Sequence, residues 1–431
     1  MKKSLLVALT FFMLLAGCRQ IQQAKSDPQV LATLNQLVHT RDYFRLRTAL
    51  DMHKSSLSNS HLLYYQAVVS NAFNNPERSN QQLAELLAVD DGALGDTLMK
   101  EVYNIKLQNH IQLGEYREAN QANAFVQKHY EALLDSAQAE DFQNTQRIWQ
   151  ALQGIPAQQV ARNRDFTIPL HQDKVGLFNI DVVFGTTTVG MVFDTGANFS
   201  VISRSYADKL GLKVIPAGFH VGALTGARIT SDLAVADSLD IGGLTYSNVV
   251  FLVFDDSDLA IPQVDYQING IIGFPVIEAM DEVHIGKDNQ LFIPQQVTPF
   301  AYHNLALDGL MPVVAVEYGG DTLNFHLDTG APTTTLFAPF FRKYQEDITT
   351  NHEKATFKLG GAGGVMEFEG YAIDSLLLKI GPTTARLANL QVHIDDIGGE
   401  EGFFHGNLGQ DYIRQFDNMI LSFRHASLVF K

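Results

Sequence analysis

The triplet Asp-Thr-Gly occurs twice in the chain, in "MVFDTGANFSVIS" (191–203) and again in "FHLDTGAPTTTLF" (325–337). Each time an apolar run of strand texture leads into a carboxylate, and a hydroxyl residue and a glycine follow at once. Such corners form turns on their own account, so one occurrence decides nothing. The two copies share a second feature: well downstream of each aspartate stands an element ending in glycine, Ile271-Ile272-Gly273 in the first copy and Asn407-Leu408-Gly409 in the second. Carboxylates placed in related pairs are the raw material of general acid–base chemistry, in which one group takes a proton while another gives one. Other reaction types lack their raw material: there is no HExxH, no clustered Cys/His pattern, no P-loop and no GxSxG.

The elements that carry these residues are duplicated. "IDVVFGTTTVGMVFDTGA" (180–197) lies over "VAVEYGGDTLNFHLDTGA" (314–331), and "DSLDIGGLTYSNVVFLVFDD" (237–256) over "DSLLLKIGPTTARLANLQVHIDD" (374–396). "NGIIGFPVIEAMDEVHIGKDNQLFI" (269–293) lies over "HGNLGQDYIRQFDNMILSFRHASLVF" (405–430). The offset between copies stays near the separation of Asp194 and Asp328 throughout. Alternating Val, Ile, Phe and Thr with regular glycine punctuation predicts all-β lobes, assigned to 166–298 and 299–431. Asn407 departs from the apolar residue of the first copy, either as a packing variation or as drift of the second lobe.

At these residues the chain resembles the aspartic peptidases, in particular the retropepsin-like branch, where the motif reads DTGA. The resemblance covers about Phe166 to Lys431 and rests on the two motifs. It implies a bilobal aspartic-peptidase fold in which Asp194 and Asp328 face each other across a cleft. Thr195 and Thr329 would exchange hydrogen bonds that keep the loops in register, and Gly196 and Gly330 would allow the backbones to approach. Two carboxylates that close share one proton. One then draws a proton from a water attacking the peptide carbonyl while the other serves the carbonyl oxygen, with no covalent intermediate, metal or cofactor. The partner implied is an extended polypeptide substrate. With both lobes on one chain, a catalytically complete monomer is expected. Substrate-covering hairpins are expected at "GFHVGALTGARIT" (218–230) and "FKLGGAGGVMEFEG" (357–370), whose glycines suit a mobile cover. His326, two residues before Asp328, is assigned no catalytic role.

Residues 27–155 read differently. They are rich in Leu, Ala, Gln and Glu, with apolar residues at helical spacing. Three similar units begin at Leu34, Ala67 and Leu107, each an apolar helix, a polar turn and a second helix, as in helical repeat arrays. The last, with "LGEYREA", resembles a tetratricopeptide repeat; a plain helical bundle is the competing reading. Either offers a surface for a protein partner. Pro156 and "AQQVARNRD" (157–165) mark the boundary with the β region. The fold class expected is therefore multi-domain: an N-terminal all-α repeat or bundle followed by duplicated all-β lobes.

Residues 1–17 have the layout of a secretory leader, with Lys2 and Lys3 before the apolar run Leu5–Leu15. The run is too short to span a bilayer and ends in "LAGC" (15–18), which resembles a bacterial lipobox. Cys18, the single cysteine of the chain, is then the lipidation site, 18–26 a lipidated linker and the membrane a partner, each buried CH₂ of the acyl chains contributing about 0.8 kcal/mol. The location expected is the cell envelope, facing the periplasm from the outer membrane where two membranes exist. The formal charge of −16 over 431 residues speaks against nucleic acid, whose phosphates need a basic face.

Two functions compete: a lipid-anchored aspartic endopeptidase, and a non-catalytic scaffold that binds peptides or proteins through the same body and helices. The enzyme reading carries a pH signature. Pepsin-like members place Ser or Thr after DTG, a hydroxyl donor to the ionised carboxylate; this chain has Ala197 and Ala331, which cannot donate. Fewer bonds to the charged form raise the pH at which a carboxyl pair titrates. Peptide cleavage assayed across pH is expected to peak in the mildly acidic to near-neutral range, and a maximum below about pH 3 would contradict the argument.

Overall fold

Residues 28–152 form helices α1 (Pro28–His39), α2 (Tyr43–His53), α3 (Asn59–Ala72), α4 (Pro76–Val89), α5 (Gly95–Gln112), α6 (Tyr116–His129) and α7 (Ser136–Leu152). The computed structural model describes residues 25–89, 94–222, 228–300, 302–361, 363–397 and 401–431. The leader, Cys18 and residues 223–227 of the first glycine hairpin lie outside the described residues. Local sequence starts the helices: Asp27 accepts hydrogen bonds from the Gln29 and Val30 amides with Pro28 at the first helical position, and Asp135 and Gln138 form a reciprocal capping box on α7.

The turns α1–α2, α3–α4 and α5–α6 are one turn used three times. The middle residue is left-handed in each, Arg41 (φ 53°), Asn74 (φ 55°) and Gly114 (φ 66°). The next amide closes the turn on the same carbonyl position: Asp42 N to Leu37 O at 2.9 Å, Asn75 N to Ser70 O at 2.9 Å, Glu115 N to His110 O at 2.8 Å. Buried Asn109 ties neighbouring hairpins, donating to Ser79 Oγ and Asn80 Oδ1, each at 2.9 Å, and accepting from Asn71 Nδ2 at 2.9 Å. A polar atom left without such a partner at this depth costs stability.

Each β lobe is a closed ring of strands. In the first lobe the order is Phe178–Phe184, Thr187–Phe193, Gly270–Ile272, Ser200–Ser203, Leu244–Phe254 and Arg228–Ile241, closed by Val183 opposite Asp240. The second lobe repeats it with Met311–Tyr318, Asp321–Leu327, Gly406–Leu408, Thr335–Leu336, Thr383–His393 and Gly364–Ile380, closed by Glu317 opposite Lys379. The alternation read from sequence fills both interiors: Ile180, Val182, Met191 and Phe193 in one and Val314, Val316, Phe325 and Leu327 in the other belong to one continuous core.

A further sheet belongs to both lobes. Strands Phe166–Pro169, Gln290–Ile293 and Glu282–Gly286 of the first pair with Asn418–Ser422 and Ser427–Phe430 of the second, Val283 standing opposite Leu421. The helices also span both. Phe44 shares a cluster with Ala306, Val313, Phe337 and Phe404 of the second lobe, and Arg41 and Tyr43 both bind the Asp308 carboxylate. At the other end Tyr116, Trp149 and Leu152 join Phe219, Ile229 and Ile271 of the first lobe in one core. The polar boundary stretch is pinned as well, since Gln159–Ala161 adds a strand beside Leu244–Phe254.

Candidate active site

Each Asp-Thr-Gly loop begins where a central strand leaves its ring. The Asp194 amide is held by Ile272 O and the Asp328 amide by Leu408 O, both at 3.0 Å. The downstream glycine elements supply those carbonyls because they lie parallel to the aspartate strands, Ile272 opposite Phe193 and Leu408 opposite Leu327. Their glycines are required by crowding: a Cβ on Gly273 would stand 2.5 Å from the Phe199 carbonyl, and one on Gly409 2.5 Å from that of Thr333. A hydroxyl locks each element from behind, Ser200 Oγ accepting from Gly273 N and Thr334 Oγ1 from Gly409 N, both at 3.1 Å.

The two loops meet across the interface between the lobes through fully buried threonines. Thr195 Oγ1 donates to Leu327 O at 2.7 Å and accepts from the Thr329 amide at 3.1 Å. Thr329 Oγ1 donates to Phe193 O at 2.8 Å and accepts from the Thr195 amide at 3.0 Å. This exchange sets each aspartate over the other loop's glycine. A Cβ on Gly196 would lie 2.7 Å from Asp328 Cγ, and one on Gly330 2.3 Å from Asp194 Cγ, so no larger residue fits either position.

Each carboxyl lies against the loop that carries the other, and both aspartates keep partial solvent exposure. Burial, then the neighbouring Asp328 charge, pushes the Asp194 carboxyl well above the usual carboxylate range. Two like groups this close hold one proton between them, the arrangement of an acid and a base side by side. The geometry offers what activation of a water against a carbonyl requires: one acceptor, one donor and access for solvent.

Sequence reasoning missed three contributors. Asn407 Nδ2 donates to Asp328 Oδ2 at 2.7 Å, so the expectation of a pair without side-chain donors fails at Asp328. The available signal was register: Asn407 pairs with His326, two residues before Asp328, as Ile271 pairs with Val192 before Asp194. Helix α7 is the second. Asn144 accepts from His220 N at 2.8 Å and donates to His220 O at 2.7 Å, while Arg147 donates to Gly218 O at 2.6 Å. These occupy backbone groups on the edge strand Lys213–Gly222 of the first hairpin, which the ring leaves open. Third, Gly363 N at the tip of the second hairpin donates to Asp258 O of the first lobe at 2.8 Å, so this hairpin bridges the lobes. Its register runs from Glu353–Ala372 to Gly361–Gly364.

The threonine exchange makes a measurable demand. Thr195→Val leaves Leu327 O and the Thr329 amide buried without partners, each costing roughly 1–3 kcal/mol. Chemical denaturation is expected to show a loss of about 2 kcal/mol or more for Thr195→Val and less than about 1 kcal/mol for Thr195→Ser, which keeps the hydroxyl.

Residues 180–276, from the strand before Asp194 through Ile271-Ile272-Gly273, match the family model described as aspartyl protease. No curated protein matches the chain. The first lobe thus has the sequence character of an aspartyl-protease domain, and the second repeats its strand order and loop geometry.

Proposed function

We propose that the protein is a lipid-anchored aspartic endopeptidase that hydrolyses peptide bonds in extended polypeptides through a water activated by Asp194 and Asp328. The observation that carries this reading is the placing of each carboxyl over the other loop's glycine, at an interface held by the reciprocal threonine bonds. A scaffold that only bound peptides would gain nothing from two acidic groups forced together, since like charges at that spacing cost stability unless they share a proton. Glycine-bearing hairpins on both lobes supply covers for an extended chain. The shared sheet and the bridging helices hold both halves of the site on one chain, which supports activity as a monomer.

Water attacks the scissile carbonyl as one carboxylate takes its proton, and the other carboxyl gives its proton to the carbonyl oxygen. Collapse of the resulting diol sends a proton to the leaving amine and returns the pair to its starting state. The residues that perform this are the pair itself, the amides of Gly196 and Gly330 that orient Oδ1 of each aspartate at 2.7 and 2.8 Å, and the threonines beneath them.

The lipid anchor at Cys18 rests on the leader and "LAGC", and the envelope is the location proposed. The threefold use of one helical turn supports a tetratricopeptide-like reading of 27–155, whose contacts with the first hairpin give it a part in placing the substrate cover.

Cleavage of an unstructured protein by the full-length chain in detergent is the test. Asp194→Asn and Asp328→Asn are each expected to lose at least about 10²–10⁴-fold in rate, and a statine-type inhibitor to block the wild type. Retained activity in either variant would overturn the dyad. For the anchor, Cys18→Ser is expected to move the protein from the membrane fraction to the soluble fraction; unchanged membrane association would overturn lipidation as the tether.

A further inference from the structure

The two lobes repeat each other closely, and at the aspartates they differ in a side-chain hydrogen bond. Both aspartates receive the amide of the glycine two residues on, at Oδ1, and in each loop the next amide turns to the aspartate's own backbone carbonyl, Ala197 N to Asp194 O at 3.5 Å and Ala331 N to Asp328 O at 3.3 Å. The second oxygen is treated differently. Asp328 Oδ2 accepts from the Asn407 carboxamide at 2.7 Å. The first-lobe residue in the same register is Ile271, paired with Val192 as Asn407 is with His326, and Ile271 has nothing to donate. Neither Ala197 nor Ala331 makes up the difference.

A carboxamide N–H donates and cannot accept, so the oxygen it faces must offer a lone pair. A donor aimed at a carboxylate oxygen favours the ionised group, and hydrogen bonds to charged acceptors are the stronger kind. With one proton for two carboxyls and a glycine amide on each, a side-chain donor on one side alone biases where the proton rests. We propose that Asn407 is a positioning residue that places the shared proton of the pair on Asp194 and keeps Asp328 ionised. Resting on the peptidase reading, this divides the catalytic roles. Asp328 takes a proton from the attacking water as the new C–O bond forms, and Asp194 gives its proton to the carbonyl oxygen. When the C–N bond breaks, Asp328 passes its proton to the leaving nitrogen and a diol hydroxyl returns one to Asp194, restoring the starting state. The raised position of the Asp194 carboxyl, from burial first and the Asp328 charge second, agrees with this order.

The other titratable groups around the pair do not compete for the role. His326, in register with Asn407, is buried against Phe404 with ring centroids 4.2 Å apart, and burial holds it down to about 4. Behind it stand Asp308 and Arg41, already bound to each other. His405, just before the Asn407 strand, is likewise held down to about 4 by burial. Asp411 on the following helix is taken by Thr334, at 2.9 Å from its amide and 2.7 Å from its hydroxyl. His393, on the strand beside Thr335, packs edge-on to Phe368 at 4.3 Å.

The test is a carboxyl-carbon NMR titration of the full-length protein labelled at aspartate, with resonances assigned from Asp194→Asn and Asp328→Asn. A pH profile of kcat/KM runs beside it. The wild type is expected to keep the protonated signature on Asp194 to higher pH than on Asp328. Asn407→Leu, which copies the apolar first-lobe residue, is expected to remove that order and to move the acid limb of the profile up by about one pH unit or more. Asn407→Gln, which keeps the carboxamide, is expected to retain the wild-type order, and the double change Asn407→Leu with Ile271→Asn to reverse it. An order that does not depend on residue 407, or a wild-type proton on Asp328, would overturn the proposal. The titration needs no turnover. A chain that cleaves nothing yet shows the Asn407-dependent order refutes the peptidase reading and leaves the proton placement standing, and active enzyme with an order independent of Asn407 does the reverse.

Discussion

The centre of the molecule depends on the exchange of hydrogen bonds between Thr195 and Thr329. Two carboxyls repel once both are charged, so something uncharged has to bring them together. The threonine hydroxyls do so by donating to the carbonyls just before the opposite aspartates, at Leu327 and Phe193. Because these bonds are buried, breaking them leaves polar groups with no water to turn to. The glycines follow from the same constraint, since each loop comes so near the other's carboxylate that a methyl group would collide with it.

Around that contact the chain is built to keep the two lobes in one relation. Val283 and Leu421 pair across a sheet to which both lobes contribute, and the helices pack on the second lobe through Phe44 and on the first through Trp149. Trp149 lies 6.4 Å from Phe199, which follows the first Asp-Thr-Gly loop. The helical region is thus part of the structural support of the site, and α7 holds an edge strand of the first hairpin by its backbone.

Pseudo-symmetry explains most of the site, and its failure at one residue pair is informative. Ile271 and Asn407 hold equivalent places in equivalent strands, and the backbone does not register the difference. Only the chemistry does: an apolar side chain leaves its aspartate alone, and a carboxamide binds the other one. A duplicated fold supplies two equal groups, and one unequal neighbour is enough to distinguish them.

Much of this was legible in the amino-acid sequence, and for identifiable reasons. The helical region followed from 3.6-residue periodicity, and its last turn from "LGEYREA" (113–119). The β lobes followed from alternation, and their duplication from segments that could be laid over each other. These are local or repeated patterns, and backbone geometry turns them directly into elements. Asn407 was visible only as a departure from its partner copy, because whether a carboxamide packs or donates depends on what faces it from another strand. The grip of Asn144 on His220 and the link from Gly363 to Asp258 left no trace at all, since each joins residues far apart in the chain whose types are ordinary for a surface. The sequence by itself determined two β lobes, a helical region and two related carboxylates; the tertiary structure alone decided which side chains face them, because hydrogen bonds between distant segments are set by packing and register.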